Sequence, residues 1–135
     1  AMSLIAQFAD RYPNVNIVLD HIGFPRAEVS DTFGLSPEHL ALAAHKNVYY
    51  KYTTLLIERM HEGNVPVRDF MNYVVGVYGA DHLVWGSDVG NSEGGFVEFV
   101  HHALESVDQL PLAQQQAIFY DTAKAVFIPG GRGLA

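Results

Sequence analysis

Apolar residues recur along this chain at two spacings, one helical and one extended, and the two alternate. Residues 3–12 ("SLIAQFADRY") carry Leu4, Ile5, Phe8 and Tyr12 at helical spacing, and Pro13 ends the run. "VNIVLDH" (15–21) is β-branched and predicts a short buried strand. Polar and turn residues follow to about 35. "SPEHLALAAHKN" (36–47) then opens with Ser36 as N-cap and Pro37 at the first helical position. "VYYKYT" (48–53) predicts a second strand. The pattern weakens over 54–65, where a short helix around 55–61 fits best. "VRDFMNYVVGVYG" (67–79) is helical and closes on Gly79, and "HLVWGSD" (82–88) predicts a third strand. Helices follow at about 95–107 and 111–127, the second entered through Pro111. A tail over 128–135 is expected to be mobile. Ala1-Met2 reads as a tag scar ahead of a start methionine and is set apart from the fold.

Strands that alternate with helices imply an α/β fold in which a parallel sheet is joined by right-handed crossovers. In such a sheet the C-terminal strand tips gather at one end, where ligands bind. The three tips carry Asp20-His21, Lys51-Tyr52-Thr53 and Ser87-Asp88. Alternation predicts that Ile17, Leu19 and His21 share one face, as do Val84, Gly86 and Asp88. Neighbouring strands lie about 4.8 Å apart, so tips two strands apart are about 10 Å apart, a gap that a metal or water would bridge. The plainer alternative has His21 bonded to a backbone carbonyl and Asp88 capping the loop "GNSEGG". His39, His45, His61, His82, His101 and His102 fall on predicted helices or loops, are expected to be solvated, and are assigned nothing.

Composition narrows the classes. The 135 residues suit one domain over 1–135, and 49% hydrophobic with 17% charged residues reads as globular. Fifteen acidic against eight basic residues give a formal charge of −7, with no basic cluster to meet a nucleic-acid backbone. The absence of cysteine excludes thiolate zinc sites and suits a cytoplasmic protein. No apolar run reaches the roughly 18 residues of a membrane span, and no signal peptide is visible.

"VLDHIGFP", "NVYYKYT", "LVWGSDVGN" and "YDTAKAVF" together resemble the C-terminal part of the amidohydrolase-2 family, over about residues 3–127. That family comprises metal-dependent hydrolases, lactonases and decarboxylases on a TIM barrel, and the likeness is to its pyrone-dicarboxylate-lactonase branch. The resemblance implies a partial (β/α)8 barrel acting on a small-molecule lactone, ester or amide. It implies that His21 binds a divalent metal (zinc or manganese) or the substrate carbonyl. It implies that Asp88 ligates metal and acts as general base. Lys51, on the inward side of "YxKxT", would hold a substrate carboxylate or an internal ion pair.

Two family features are missing. No His-x-His occurs in the chain, and three strands do not close an eight-stranded barrel of about 250 residues. Val89-Gly90 stands where relatives carry Trp-Pro, and Asp121 replaces an asparagine. A non-catalytic fragment or assembly subunit is therefore the second expectation, and a doubly wound domain binding a small anion the third. The exposed side and edges of an open sheet also predict a homo-oligomer.

Overall fold

The computed structural model describes residues 1–128, and from 129 onward the expected tail lies outside the described residues. Helix α1 (Met2–Arg11) leads into β1 (Ile17–Leu19), which ends in a tight turn over Asp20–Gly23. A long loop reaches α2 (Pro37–Ala41), extended by a 3-10 turn at Leu42–Ala44, and then β2 (Val48–Thr53). α3 (Thr54–Glu62) and α4 (Val67–Tyr78) carry the chain to β3 (Leu83–Gly86). α5 (Phe96–Glu105), α6 (Leu112–Gln116), a π-helical segment (Ala117–Asp121) and α7 (Thr122–Phe127) close the described chain.

Among the described residues the three strands are parallel in the order β1-β2-β3, with β1 and β3 at the edges. Register fixes the faces. Leu19 pairs with Tyr50 and Tyr50 with Leu83; Lys51 pairs with Val84 and Thr53 with Gly86. Val48, Tyr50 and Tyr52 therefore face the helices, and Tyr49, Lys51 and Thr53 face the opposite side. The helix-facing side is the core: Tyr50, Tyr52, Leu83, Phe70 and Ile118 are all buried. Tyr50 stacks on Tyr78 with ring centroids 3.8 Å apart, and the Tyr52 hydroxyl donates to Ser106 Oγ at 2.6 Å.

Three sequence expectations are corrected here. Met2, set apart beforehand, is the first residue of α1 and packs on the core. β1 stops at Leu19, so His21 is not on a strand, and Ile17 and Leu19 lie on the helix-facing side. His39 is buried, not solvated. Its Nε2–H donates to the Gly23 carbonyl at 2.9 Å, while Nδ1 accepts the Ser36 N–H at 3.3 Å. Ser36 thus caps α2 as expected, in a reciprocal capping box in which histidine takes the place usual for Glu or Gln. His45 and His82 are also engaged, His45 with Asp10 at 3.2 Å and His82 stacked on Tyr49 at 5.0 Å.

Candidate active site

The site begins with a backbone turn. His21, Ile22, Gly23 and Phe24 follow one another at φ values of 52°, 52°, 75° and 57°. A left-handed conformation costs a non-glycine residue about 1–2 kcal/mol. Burial offsets it: Ile22 is fully enclosed, and an Ile side chain gains about 1.5–3 kcal/mol on leaving water. Gly23 suits the turn at φ 75°, and a Cβ there would crowd Met2 Cε at 2.9 Å and the His39 ring at 3.0 Å. Clamped by His39, the turn swings His21 off the helix-facing side and over the tip of β2.

There His21 Nδ1 lies 2.7 Å from Thr53 Oγ1 and 3.4 Å from Asp88 Oδ2. Asp88 follows β3 and is itself left-handed, at φ 53°, a region that aspartate tolerates. The two side chains are only 13% and 9% exposed, and Asp88 Oδ2 is buried without a hydrogen-bond partner. A buried carboxylate oxygen left in that state is uncommon and points to function. The expected gap of about 10 Å is therefore corrected to direct contact. Strand spacing sets the distance between the tips, but both loops lean inward across β2.

Lys51 does not join this pair. Its Nζ contacts Asp20 Oδ1 at 3.1 Å, and Asp20 is largely exposed. Such a pair is worth about 0–1 kcal/mol. The lysine stem occupies the space that Gly86 leaves open, since a Cβ on Gly86 would lie 2.8 Å from Lys51 Cε. That contact is near the flexible end of the side chain. Gly86→Ala is accordingly expected to push the stem aside and break the pair to Asp20, at about 1 kcal/mol or less. Chemical denaturation measures this, and a loss of several kcal/mol would show that the stem has nowhere to go.

Two groups went unassigned in the sequence. Thr53 carried a legible signal, since alternation places it beside Lys51 on the side away from the helices. Arg59 carried none. Its guanidinium lies 5.5 Å over the Phe24 ring, and that ring lies 4.5 Å from His21. Arg59 also lines a pocket with Arg26, Leu55 and Glu62.

His21 and Asp88 are two donors, whereas a catalytic zinc usually has three protein ligands. Among the described residues no group of three or more His, Cys, Asp or Glu side chains could hold a metal. The residues present thus do not make a complete metal site. Among the described residues, no helix is long and apolar enough to cross a membrane.

Parallel βα units with polar tips at one end define a piece of an α/β barrel with an acid–imidazole pair at its mouth. Residues 1–128 match the amidohydrolase family model (Amidohydro_2), and the chain belongs to that family. An L-fucono-1,5-lactonase of Burkholderia ambifaria is 35% identical over 82 residues, covering 60% of this chain and 28% of the lactonase. The crystal structure of a zinc-bound amidohydrolase from Burkholderia multivorans superposes with a TM-score of 0.73 at 20% identity, covering 93% of this chain and 48% of that one. A protein from Pseudomonas putida assigned as a 2-pyrone-4,6-dicarboxylic acid hydrolase gives 0.67 at 29% identity, covering 84% and 43%. The fold is a three-stranded part of a TIM barrel. The chain spans less than half the length of these solved relatives, and its match covers 28% of the curated lactonase.

Proposed function

We propose that this chain supplies the His21–Asp88 half of a hydrolase site that opens a lactone or cleaves a related ester or amide. The carrying observation is the 3.4 Å approach of His21 Nδ1 to the buried, unbonded Asp88 Oδ2 at the strand tips. Asp88 takes a proton from water, and the resulting hydroxide forms a bond to the acyl carbon. As the tetrahedral intermediate collapses, the ring C–O bond breaks. Asp88 returns the proton to the leaving oxygen, giving a hydroxy acid. General-base assistance of this kind is worth about 10²–10⁴-fold. The class of substrate is supported by family membership and by the likeness to a fucono-lactonase. The Arg59 guanidinium, 5.5 Å over the Phe24 ring that packs on His21, supports a substrate bearing an acidic group. The test is acid release from a panel of sugar and aromatic lactones by the whole protein. No turnover on any of them would reject the reading.

The two-donor count favours a second reading for the isolated chain, that of a folded but non-catalytic fragment or assembly subunit. A metal held by the complete protein would act as a Lewis acid, and His21 and Asp88 would need further donors to hold it. In calorimetric titration, zinc or manganese is expected to bind the 135-residue chain more weakly than about 1 μM. Sub-micromolar affinity would show that the chain completes a metal site unaided.

A further inference from the structure

We propose that Thr53 is a positioning residue that, together with Asp88, holds His21 as its Nδ1–H tautomer and leaves Nε2 as the bare nitrogen. The proposal deepens the function proposed above and rests on that reading for its catalytic meaning; the tautomer itself is independent of it.

Thr53 is fully buried at the last position of β2, and its hydroxyl already has one duty. Oγ1 accepts the Leu56 N–H at 3.3 Å, capping the start of α3. A threonine hydroxyl has two lone pairs and one proton. With one lone pair used, the 2.7 Å contact to His21 Nδ1 runs in one of two senses: the hydroxyl donates to a bare nitrogen, or Nδ1–H donates to the second lone pair.

Asp88 decides between them. Its Oδ2 lies 3.4 Å from the same nitrogen and has no hydrogen bond of its own. An ionised carboxylate only accepts. Facing a bare Nδ1, it would oppose lone pair to lone pair. Facing Nδ1–H, it is attracted, in a site whose burial weakens screening by water. The proton therefore sits on Nδ1, donated to Thr53 and stabilised by Asp88.

The ring has little freedom to escape this arrangement. Phe24 packs against it at 4.5 Å, and the left-handed turn fixes the backbone beneath it. A half-turn of the ring would replace Nδ1 by a carbon and lose both interactions.

The consequence separates the two roles open to His21. A neutral imidazole protonated at Nδ1 has only a lone pair at Nε2. It accepts a proton or binds an electrophile there, but it donates no hydrogen bond from that nitrogen to a substrate carbonyl. Polarisation of the carbonyl must then come from another group.

Long-range proton–nitrogen correlation spectra of the histidines, recorded on the alkaline side of neutrality, test this. His21 is assigned by its loss in His21→Gln. The parent chain and Thr53→Ser are expected to show a pyrrole-type Nδ1 and a pyridine-type Nε2. Thr53→Val and Asp88→Asn are each expected to move the ratio roughly tenfold toward Nε2–H, about what a charge-assisted hydrogen bond sustains. A parent chain dominated by Nε2–H overturns the proposal, as does a Thr53→Val spectrum matching the parent. Should Thr53→Val fail to fold, the parent, Thr53→Ser and Asp88→Asn spectra decide. Absent lactone hydrolysis with the expected spectra would remove the proposed function and keep the role of Thr53. Hydrolysis with the opposite spectra would remove only the latter.

Discussion

Asp88→Asn is expected to lower kcat/KM for lactone opening by the whole protein about 10²–10⁴-fold, with no loss of stability. The substitution isolates the charge. Asparagine accepts a left-handed backbone as readily as aspartate, so φ 53° is no obstacle. The side-chain volume is nearly unchanged. What disappears is a buried carboxylate whose Oδ2 has no hydrogen bond, a group that costs folding free energy to enclose. Thermal melting is therefore expected to hold steady or rise, the usual trade between stability and activity at a functional site. Retention of most of the activity would remove Asp88 from the chemistry. A fall in melting temperature of many degrees would make it a structural residue.

The second large effect is on the fold and appears in alkali. Tyr50, Tyr52 and Tyr78 all have hydroxyls pushed well above the ordinary tyrosine value of 10, chiefly because burial disfavours the phenolate. The Tyr50 shift is increased by Tyr78, stacked on it, and the Tyr78 shift by Tyr73. In the unfolded chain these groups lose protons as pH rises through 10, while in the folded chain they keep them. Above that point the unfolded state binds fewer protons, so stability falls as pH rises. Each group contributes up to about 1.4 kcal/mol per pH unit, or about 4 kcal/mol per unit for the three. By pH 12 the loss is about 8 kcal/mol, enough to unfold a chain in the lower half of the typical range of about 5–15 kcal/mol. The alkaline transition is therefore expected at about pH 11–12 for such a stability and higher for a more stable chain. Circular dichroism and phenolate absorbance should report the loss together. Tyr50→Phe should shift the transition to higher pH without weakening the neutral fold, because the Tyr50 hydroxyl has no hydrogen-bond partner to lose. Free ionisation of these tyrosines in a chain still folded would contradict their burial.

Much of the architecture was legible from short-range patterns. The β-branched runs became β1, β2 and β3, alternation with helices predicted parallel pairing, and Ser36-Pro37 marked the start of α2. Helix α3, only weakly signalled, runs over Thr54–Glu62 because the Thr53 side chain caps it. The single predicted helix over 111–127 is interrupted by a π-helical segment at Ala117–Asp121, where Asp121 accepts from Gln116 Nε2 at 3.2 Å. Periodicity gave no hint of that, since the segment buries only Ile118 and so leaves no apolar stripe from which a change of phase could be read.

What the chain determined by itself was which residues reach the strand tips: Asp20 and His21, Lys51 and Thr53, Ser87 and Asp88. Order along a strand and parallel pairing are consequences of local propensity and crossover handedness, and both are written in neighbouring residues. Only the tertiary structure decided which of these touch. His21 reaches Thr53 across 32 positions of sequence, on a left-handed turn held by a buried His39 and by the close packing of Met2 on Gly23. The sign of a backbone angle in such a turn depends on whether burial and distant hydrogen bonds repay its strain. No period in the sequence carries that balance, because it is settled between residues far apart in the chain.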